Sequence, residues 1–462
     1  MTIDLTGTLR RQVAEELATV DEDLQGDDRR EFARQRIFAL LDQLSFDGDG
    51  EGPVDLTLAE EERTAQSVLD ALFGMGRLQA LIDDVGIENI DINGCDRVWA
   101  TFADGSKRLM PPVADTDDEL VELIRTAGSR YGLSERRFDT GKPELDLRLP
   151  GGSRLSALMA VSARPAVSIR RHRYADLSIA ELVDLGSMEP EVASLLSAAV
   201  RAKKNIVVAG AMNSGKTTLL RALASEIAPR ERIVTIEQAF ELGLDNAADR
   251  HPDMVALEAR PPNVEGEGQI AVADLVRRAL RMNADRVIVG EVLGDEVLPM
   301  LNAMSQGRSG SMCTVHSNSS AGVFRRIASY AVQAPERLPL EATNLLIAGA
   351  IHFVVFLDTD TDGALDGDLG YVGVGRGWDR SEYSPDGGGA PSFAARTNRR
   401  RFISSIREVV DAEGTQVISN EIYAPGDDRR AMVGSPLRPQ TLHELVRFGF
   451  EPATGMQSVG WS

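Results

Sequence analysis

The sequence predicts an α/β fold built on a mainly parallel sheet with helices on both faces, preceded by a smaller α+β region and an N-terminal helical segment. Three observations predict it. From residue 205 onward, short apolar runs of β-prone residues alternate with segments of helical periodicity. Upstream, short strands are separated by tight turns, and the first 75 residues are charged and leucine-spaced. The apolar runs are Ile206–Ala209, Ile233–Ile236, Val287–Val289 and Cys313–Val315.

Changes of pattern divide the chain into four regions. Glycines at 74–76 end the helical segment, and strands are predicted at 90–94, at 98–102 and between 136 and 171. Helical periodicity returns at 179–200. The predicted regions are 1–75 (N-terminal helical segment), 76–175 (α+β N-terminal domain), 176–204 (linker and helix) and 205–462 (main α/β domain), with a surface insertion rich in Asp, Gly and Pro at 358–397.

Composition limits the classes of protein to which the chain can belong. A chain of 462 residues is longer than one ordinary domain. Its hydrophobic content of 43% is enough to form the cores of two or three domains. The net charge of −21 argues against non-specific nucleic-acid binding. Cys95 and Cys313 match no metal or redox spacing, so buried free thiols are expected. The first residues lack a signal peptide's apolar core, and the longest apolar stretch, near 351–357, is far shorter than the roughly 20 residues of a membrane span. A cytoplasmic protein is therefore expected.

A glycine-rich loop joins the apolar run at 206–209 to a helix-patterned segment. Residues 210–217 read Gly-Ala-Met-Asn-Ser-Gly-Lys-Thr. This is the Walker A or P-loop pattern, whose backbone N–H groups surround a polyphosphate while the next helix adds its positive dipole end. Lys216 supplies a charge for the β- and γ-phosphates, and the Thr217 hydroxyl is placed to ligate Mg²⁺. ATP or GTP is the expected ligand. The residues expected to contact it here are Gly210, Asn213, Ser214, Gly215, Lys216, Thr217 and Thr218.

An apolar strand that ends in a carboxylate follows the loop by about 75 residues. Residues 286–291 read Arg-Val-Ile-Val-Gly-Glu, the Walker B form. A central strand next to the P-loop strand would bring Glu291 close to the metal and the γ-phosphate, where it could orient or deprotonate the attacking water. The alternative is a carboxylate that merely ends an edge strand. The P-loop upstream favours the catalytic interpretation.

Five stretches in this order resemble the secretion ATPases of type II and type IV systems, and within that family the branch that assembles tight-adherence (Flp) pili. They are the P-loop, the acidic box 233–242, the segment 257–266, the Walker B run through Glu291 and the histidine box 313–319. The likeness extends from about Gly76 to Val409. It implies a RecA-like P-loop domain, a hexameric ring, and a nucleotide held between the two domains of each subunit.

The resemblance also implies roles for residues outside the P-loop. Glu237 and Glu241 would face the nucleotide from the strand beside the P-loop. Glu237 would hold the water shell of magnesium or share the role of base with Glu291. Without the family, both would be interpreted as residues that cap a strand and begin a helix. His316 would contact the γ-phosphate and report hydrolysis to neighbouring strands, whereas a lone histidine at a strand end is more often structural.

Four arginines of the N-terminal half match the strands that lie over the nucleotide in this family. They are Arg148 and Arg154, which are favoured, and Arg170 and Arg171 behind them. The planar fork of an arginine can neutralise the charge that grows on the γ-phosphoryl group, a contribution of about 10³ to 10⁵ in rate. The alternative is that they are surface charges beside Asp139, Glu144 and Asp146.

Two positions depart from the family pattern. Gln238 stands where the acidic box usually continues with Asp, which removes one carboxylate near the metal. After Glu291, Leu293 stands in place of the usual arginine. Both departures leave the phosphate cradle intact and bear on the rate of hydrolysis and on contacts between subunits.

The start of the insertion matches half of a calcium-binding motif. Asp358–Gly363 reads like the beginning of an EF-hand loop, with Asp366 at the ninth place, but Leu369 stands where a bidentate Glu belongs. The preceding segment is predicted to be a strand and not a helix. These differences favour a solvated acidic loop over a calcium site.

The expected function is that of a cytoplasmic, Mg²⁺-dependent ATPase, peripheral at the inner face of the cell membrane, that powers pilus assembly or protein secretion. The resemblance implies a homo-hexamer, with polytopic inner-membrane platform proteins as partners. Two alternatives stay open. Gln238 and Leu293 suit a nucleotide-gated assembly scaffold that hydrolyses ATP weakly. The same ring could also serve as a DNA motor for conjugation, against which the acidic charge counts.

Overall fold

The computed structural model describes residues 5–19, 27–46, 56–102, 106–132, 137–171, 177–262, 265–305, 309–361, 392–393 and 399–452. The chain divides into two compact units. The first comprises Met1–Asp146, Leu155–Arg171 and Tyr371–Ala394, and the second comprises Leu147–Arg154, His172–Gly370 and Ala395–Ser462. The domain boundaries proposed from the sequence stay a prediction.

Three helices open the first unit. They are α1 (Leu5–Thr19), α2 (Asp27–Phe46) and α3 (Leu58–Phe73). Apolar residues at helical spacing, including Leu9, Val13, Ile37 and Val68, are buried together and form a core of their own. The helical segment predicted from leucine spacing is therefore present.

A seven-stranded sheet forms the rest of the first unit, except that the end of β4, the turn after it and the first residue of β5 (147–154) are part of the second unit. Its elements are α4 (Leu78–Asp83), β1 (Ile87–Asn93), β2 (Val98–Phe102), β3 (Lys107–Met110), α5 (Asp117–Tyr131), β4 (Glu144–Arg148), β5 (Arg154–Leu158), β6 (Ala166–Arg170) and β13 (Ser392–Phe393). The strand order is β13-β3-β2-β1-β6-β5-β4. Helix α5 begins where Thr116 Oγ1 accepts a hydrogen bond from Glu119 N at 3.1 Å, and it buries Leu120 and Ile124. The predicted α+β character is confirmed.

The second unit alternates strands and helices. Its elements are α6 (Ile179–Asp184), α7 (Pro190–Arg201), β7 (Ile206–Gly210), α8 (Lys216–Ala224), β8 (Ile233–Glu237), a 3₁₀ turn (Leu244–Asn246), β9 (Met254–Glu258), α9 (Val272–Ala279), β10 (Arg286–Val292), α10 (Val297–Ser305), β11 (Met312–His316), α11 (Gly322–Gln333), α12 (Leu340–Ala350), β12 (Phe353–Thr361), β14 (Arg399–Glu413), β15 (Gln416–Pro425), β16 (Ala431–Val433) and α13 (Pro439–Arg447).

These strands form one nine-stranded sheet in the order β16-β15-β14-β12-β7-β11-β10-β8-β9. Pairing is parallel from β12 to β9, and β14 to β16 are added antiparallel. Alternate residues of β7 enter two different cores: Ile206 and Val208 pack on one face, Val207 and Ala209 on the other. The predicted parallel sheet with helices on both faces is confirmed.

One local expectation is refined and another was wrong. Helices form within 179–200 as predicted, but there are two of them, because Pro190 begins α7 and the residue before a proline avoids the helical region; Glu189 has φ −76° and ψ 153°. The acidic-box strand β8 and the Walker B strand β10 were both expected beside β7. Instead β11 is the neighbour of β7, followed by β10 and then β8. Crossover connections allow strands that are consecutive in sequence to occupy non-adjacent positions in a parallel sheet. The local sequence of a strand does not determine which position it occupies.

Several smaller expectations concern the surface and the thiols. Cys95 and Cys313 are buried and free, as predicted. The strand expected before the acidic loop is β12, and its Asp358 and Asp360 carboxylates lie 3.0 and 2.8 Å from the Arg429 guanidinium. The remainder of that loop lies outside the described residues. None of the described helices combines the length and apolar character needed to cross a bilayer.

Candidate functional site

The P-loop connects the end of β7 to the start of α8. Gly215 has φ +93°, a left-handed conformation that side chains with a Cβ rarely adopt, and Asn213 at φ +60° is one of the few residue types that tolerate it. The Ser214 hydroxyl is fully buried and has no hydrogen-bond partner among the described residues. A buried polar group of this kind needs a ligand, and a phosphate oxygen beside the N-terminus of α8 fits that need.

Lys216 is held inside the loop. Its side chain is buried, and Nζ lies 3.2 Å from the carbonyl oxygen of Gly210 and 2.9 Å from that of Ala211. The third neighbour is His316 Nδ1 at 3.1 Å. The ammonium therefore lies at the position from which it can reach a bound polyphosphate.

His316 joins the P-loop to the Walker B strand. Strand β11 pairs with β7 so that His316 lies opposite Gly210. The His316 Nε2 atom lies 2.5 Å from Glu291 Oε1. Because the Lys216 ammonium has only donors, Nδ1 must accept, so the ring proton lies on Nε2 and is donated to Glu291. Lys216, His316 and Glu291 thus form one hydrogen-bonded row.

The two glutamates of the acidic box have different surroundings. Thr217 Oγ1 donates to Glu241 Oε1 at 3.2 Å, so this carboxylate lies beside the hydroxyl expected at the metal. Arg221 of α8 holds the loop there, because its Nε donates to Leu242 O at 2.6 Å and Nη2 donates to Glu241 O.

Glu237 is buried behind that loop. Its Oε1 accepts hydrogen bonds from Glu241 N at 2.9 Å and Leu242 N at 2.7 Å. Burial raises the pKa of Glu237 to about 7, against the opposing effect of the hydrogen bonds from Leu242 and Glu241. Its Cγ packs on Gly290, where an added Cβ would lie 2.9 Å from it. Glu237 therefore stabilises the loop of the acidic box, and its part in holding magnesium or acting as a base stays a prediction.

The residues present fit Mg²⁺ bound together with a phosphate. Magnesium keeps several waters and takes one or two carboxylates plus phosphate oxygens. Among the described residues there is no cluster of three or more His, Cys, Asp or Glu that could hold a metal alone. Thr217 and Glu241 supply the side-chain oxygens that such a site needs.

The four candidate arginines fall into different parts of the chain. Arg148 belongs to the second unit, where it lies 3.5 Å from Asp245 and over the Phe240 ring with 5.9 Å to its centroid. Arg154 is also part of the second unit. Arg170 and Arg171 belong to the first unit, at the end of β6, and Arg170 is exposed. The structure thus brings Arg148 to the loop that follows the acidic box.

A cavity beside the P-loop contains arginines that sequence reasoning missed. It has a volume of about 430 Å³ and is lined by Ser214, Gly215, Thr218, Leu182, Met188, Leu357, Arg400, Arg401 and Arg430, among others. Arg401 Nε donates to the carbonyl oxygen of Asn213 in the P-loop at 3.0 Å. The run of three arginines at 399–401 is the sequence feature from which a cationic segment near the P-loop could have been predicted.

The two departures from the family pattern lie on the surface. Gln238 is exposed at the end of β8. Leu293 is 53% exposed, and its N–H donates to Glu296. Neither side chain enters the row formed by Lys216, His316 and Glu291.

Comparison with known proteins gives a consistent result. A sequence model of the family described as "Type II/IV secretion system protein" matches residues 74–420. A Mycobacterium tuberculosis protein whose name links it to conjugal transfer is 35% identical over 301 residues, which is 63% of this chain and 82% of the relative. The type IV secretion system protein PtlH of Bordetella pertussis is 30% identical over 311 residues, covering 62% of this chain and 89% of PtlH.

Solved structures are similar over part of the chain. The Legionella pneumophila ATPase DotB superposes with a TM-score of 0.47 at 20% identity, covering 62% of this chain and 76% of DotB. The VirB11 ATPase of the Brucella suis type IV secretion system gives a TM-score of 0.32 at 25% identity, covering 62% of this chain and 92% of VirB11. Both TM-scores are low, so the fold class rests on the strand order described above.

Proposed function

We propose, since this chain belongs to the type II/IV secretion system protein family, that it hydrolyses ATP with Mg²⁺ at the P-loop and uses the reaction to drive pilus assembly or secretion. The observation that carries the proposal is the hydrogen-bonded row of Lys216, His316 and Glu291. An ammonium, an imidazole and a carboxylate lie next to one another in this row. Nucleotide binding alone would not need the last two.

Each residue of the site has a proposed task. Lys216 and the backbone N–H groups of the loop bind the β- and γ-phosphates, while Thr217 and Glu241 hold Mg²⁺. The metal, when bound, neutralises charge on the phosphate oxygens. Glu291 orients the attacking water and accepts its proton, and His316 fixes the direction of that carboxylate. Arg148 neutralises charge on the transferring group, with Arg154, Arg170 and Arg171 as further candidates. Most of the catalysis comes from positioning and charge.

Phosphate release by the full chain tests this function. The Lys216→Ala variant is expected to lose ATP hydrolysis, because the ammonium is removed from the phosphate cradle. Lys203→Ala is the matched control: Lys203 is paired with Glu231 and its side chain is 45% exposed. Hydrolysis at the wild-type rate by Lys216→Ala would reject the ATPase assignment. The absence of hydrolysis by the wild-type protein at every Mg²⁺ concentration would also reject it.

The finer assignments are part of the same proposal. They are the tight-adherence (Flp) branch, a homo-hexamer, polytopic platform proteins as partners, and a place at the cytoplasmic face of the membrane. The motifs 233–242 and 313–319 support the branch, and the family supports the ring. Sedimentation of the full chain with and without ATP tests the hexamer. Co-purification with the membrane proteins encoded beside it tests the partners.

A conjugative DNA motor is the second candidate. It is favoured by the Mycobacterium tuberculosis relative, whose name links it to conjugal transfer. The net charge of −21 opposes direct contact with DNA. DNA binding that weakens steeply as salt rises would favour the motor. Brisk ATP turnover without DNA would favour pilus assembly or secretion, and would exclude a scaffold with weak hydrolysis.

A further inference from the structure

The chain that leaves the histidine box ends in a group of two buried serines and a half-buried ion pair. Ser320 Oγ lies 2.8 Å from Ser405 Oγ on β14, and Ser405 Oγ lies 2.7 Å from Glu421 Oε1 on β15. Arg407 Nε donates to Ser320 Oγ at 2.8 Å. Arg407 Nη2 lies 2.9 Å from Glu421 Oε2, its cross-strand partner. We call these four residues the serine ring.

Arg407 donates to Ser320 and to Glu421, and the two hydroxyls complete the group. Ser405 Oγ can donate to Ser320 or to Glu421, and Ser320 Oγ also lies 3.4 Å from Glu421 Oε1, so each hydroxyl proton has an acceptor within the group. Ser320 and Ser405 are 4% and 2% exposed, so water does not compete for their hydroxyls. Removal of any member takes a hydrogen-bond partner from the buried hydroxyls of the group, so we expect its members to act as a unit.

The segment from His316 to Ser320 is attached at both ends. Ser317 N donates to Gly210 O of the P-loop strand at 3.4 Å, and Ser317 Oγ donates to Ser319 O at 2.8 Å. Ser319 Oγ accepts from Gly322 N at 3.0 Å, at the start of α11. The segment therefore leaves the P-loop at one end and reaches the serine ring at the other. In sheet order, β14 lies three strands from β11, with β12 and β7 between them.

We propose that the serine ring, through this short segment, sets the position of His316 between Lys216 and Glu291, so that Ser320, Ser405, Arg407 and Glu421 are positioning residues for the reaction. The inference rests on the proposed ATPase function for its kinetic consequence. Its structural part, the placement of the imidazole, is independent of nucleotide. A displaced imidazole leaves Glu291 without its donor, so the step that weakens is phosphoryl transfer and not ATP binding.

The test compares four substitutions in the full chain. Ser405→Ala opens the ring but leaves the Arg407–Glu421 ion pair, and Glu421→Gln removes the ion pair. Glu408→Gln is the matched control, since Glu408 is the next residue of β14 after Arg407 and pairs with Arg438 at 2.9 Å outside the ring. Ser405→Thr keeps a hydroxyl and serves as the rescue.

Two readouts separate positioning from general destabilisation. The first is kcat and KM for ATP, and the second is the ring-nitrogen NMR signal of His316 in ¹⁵N-histidine-labelled protein without nucleotide, assigned with His316→Gln. Ser405→Ala and Glu421→Gln are expected to lower kcat by about 10- to 100-fold with KM unchanged, and to move or broaden the His316 signals. Ser405→Thr should restore both. Glu408→Gln should lower the thermal midpoint and leave kcat and the His316 signals as in the wild type.

Unchanged kcat and unchanged His316 signals in Ser405→Ala would overturn the proposal, as would an equal fall of kcat in Glu408→Gln. If either Ser405→Ala or Glu421→Gln does not fold, the same measurements on the remaining variant test the proposal. A wild-type protein without hydrolysis would reject the ATPase function. The NMR comparison would still decide whether the ring positions His316.

Discussion

His316 Nε2 lies 2.5 Å from Glu291 Oε1, and the opposite ring nitrogen lies 3.1 Å from Lys216 Nζ. One imidazole thus connects the P-loop lysine to the Walker B carboxylate. The connection exists because β11 lies between β7 and β10 in the sheet. The hydrogen bond from His316 orients the Glu291 carboxylate from a fixed strand end, as the proposed role of Glu291 in directing a water molecule requires.

Glu291→Gln is expected to bind ATP and to lose hydrolysis by about 10²- to 10⁴-fold, because the amide keeps the shape of the side chain but accepts no proton. Single-turnover phosphate release measures the chemical step, and titration with a fluorescent ATP analogue measures binding. Equal turnover in this variant would show that another residue is the base.

His316→Ala is expected to lower kcat and to leave KM for ATP almost unchanged. Because His316 acts through Glu291, the double variant His316→Ala/Glu291→Gln should be no slower than Glu291→Gln alone. A double-mutant cycle measures this coupling. Losses that simply multiply would mean that His316 acts separately from Glu291.

Glu241→Gln is expected to raise the Mg²⁺ concentration for half-maximal hydrolysis about tenfold, because Glu241 lies beside Thr217 and a neutral amide is a poorer ligand. Glu237→Gln should leave that concentration unchanged, since Glu237 Oε1 already accepts two backbone hydrogen bonds. The measurement is the rate against Mg²⁺ at fixed ATP. The opposite pattern would make Glu237 the metal ligand.

Arg148→Ala is expected to reduce kcat by about 10³-fold, the contribution of an arginine that neutralises the transferring phosphoryl group. Asp245 and the Phe240 ring hold the guanidinium in place, so Arg148→Lys should not restore the rate, because it keeps the charge but lacks the planar fork. Steady-state kinetics of both variants test this. A rate close to that of the wild type would transfer the role to Arg154.

Glu231→Gln is expected to lower the free energy of unfolding at pH 7 by about 3 kcal/mol, because it leaves the fully buried Arg286 without its bidentate partner. Burial alone would raise the pKa of Glu231, but hydrogen bonds and charge from Arg286 and Lys203 lower it to about 2. The ionised carboxylate therefore stabilises the fold fully above about pH 4.5, and this stabilisation is lost as pH falls towards 2. Denaturant unfolding at pH 7, 5 and 3 should show the difference between wild type and variant narrowing below pH 4.5. A constant difference would contradict the pKa.

Most of the second unit could be predicted from the sequence. Strands β7, β8, β10 and β11 are continuous apolar runs, a pattern that buried parallel strands produce. The order of those strands could not be predicted, because each buried run is chemically suited to any central position. The wrong expectation that β8 and β10 lie beside β7 followed from this, and so did the absence of any expectation that His316 would lie opposite Gly210.

Contacts made between distant segments were also beyond the sequence. Arg401 reaches Asn213 across 188 positions of the chain. The serine ring depends on the register of β14 and β15, which includes two irregular steps, and serines are too common for Ser320 or Ser405 to stand out. The different surroundings of Glu237 and Glu241 depend on the loop conformation that Arg221 holds.

The side chain of Glu237 packs against Gly290 and leaves no room there for a larger residue. With the carboxylate of Glu237 buried, a methyl group at position 290 would lie 2.9 Å from its Cγ, so the two positions cannot both carry full-sized side chains. Homologues that have lost the glycine are therefore expected to have shortened residue 237, and the two positions should co-vary through the lineage. Retention of the glycine at position 290 is therefore expected wherever residue 237 is a glutamate.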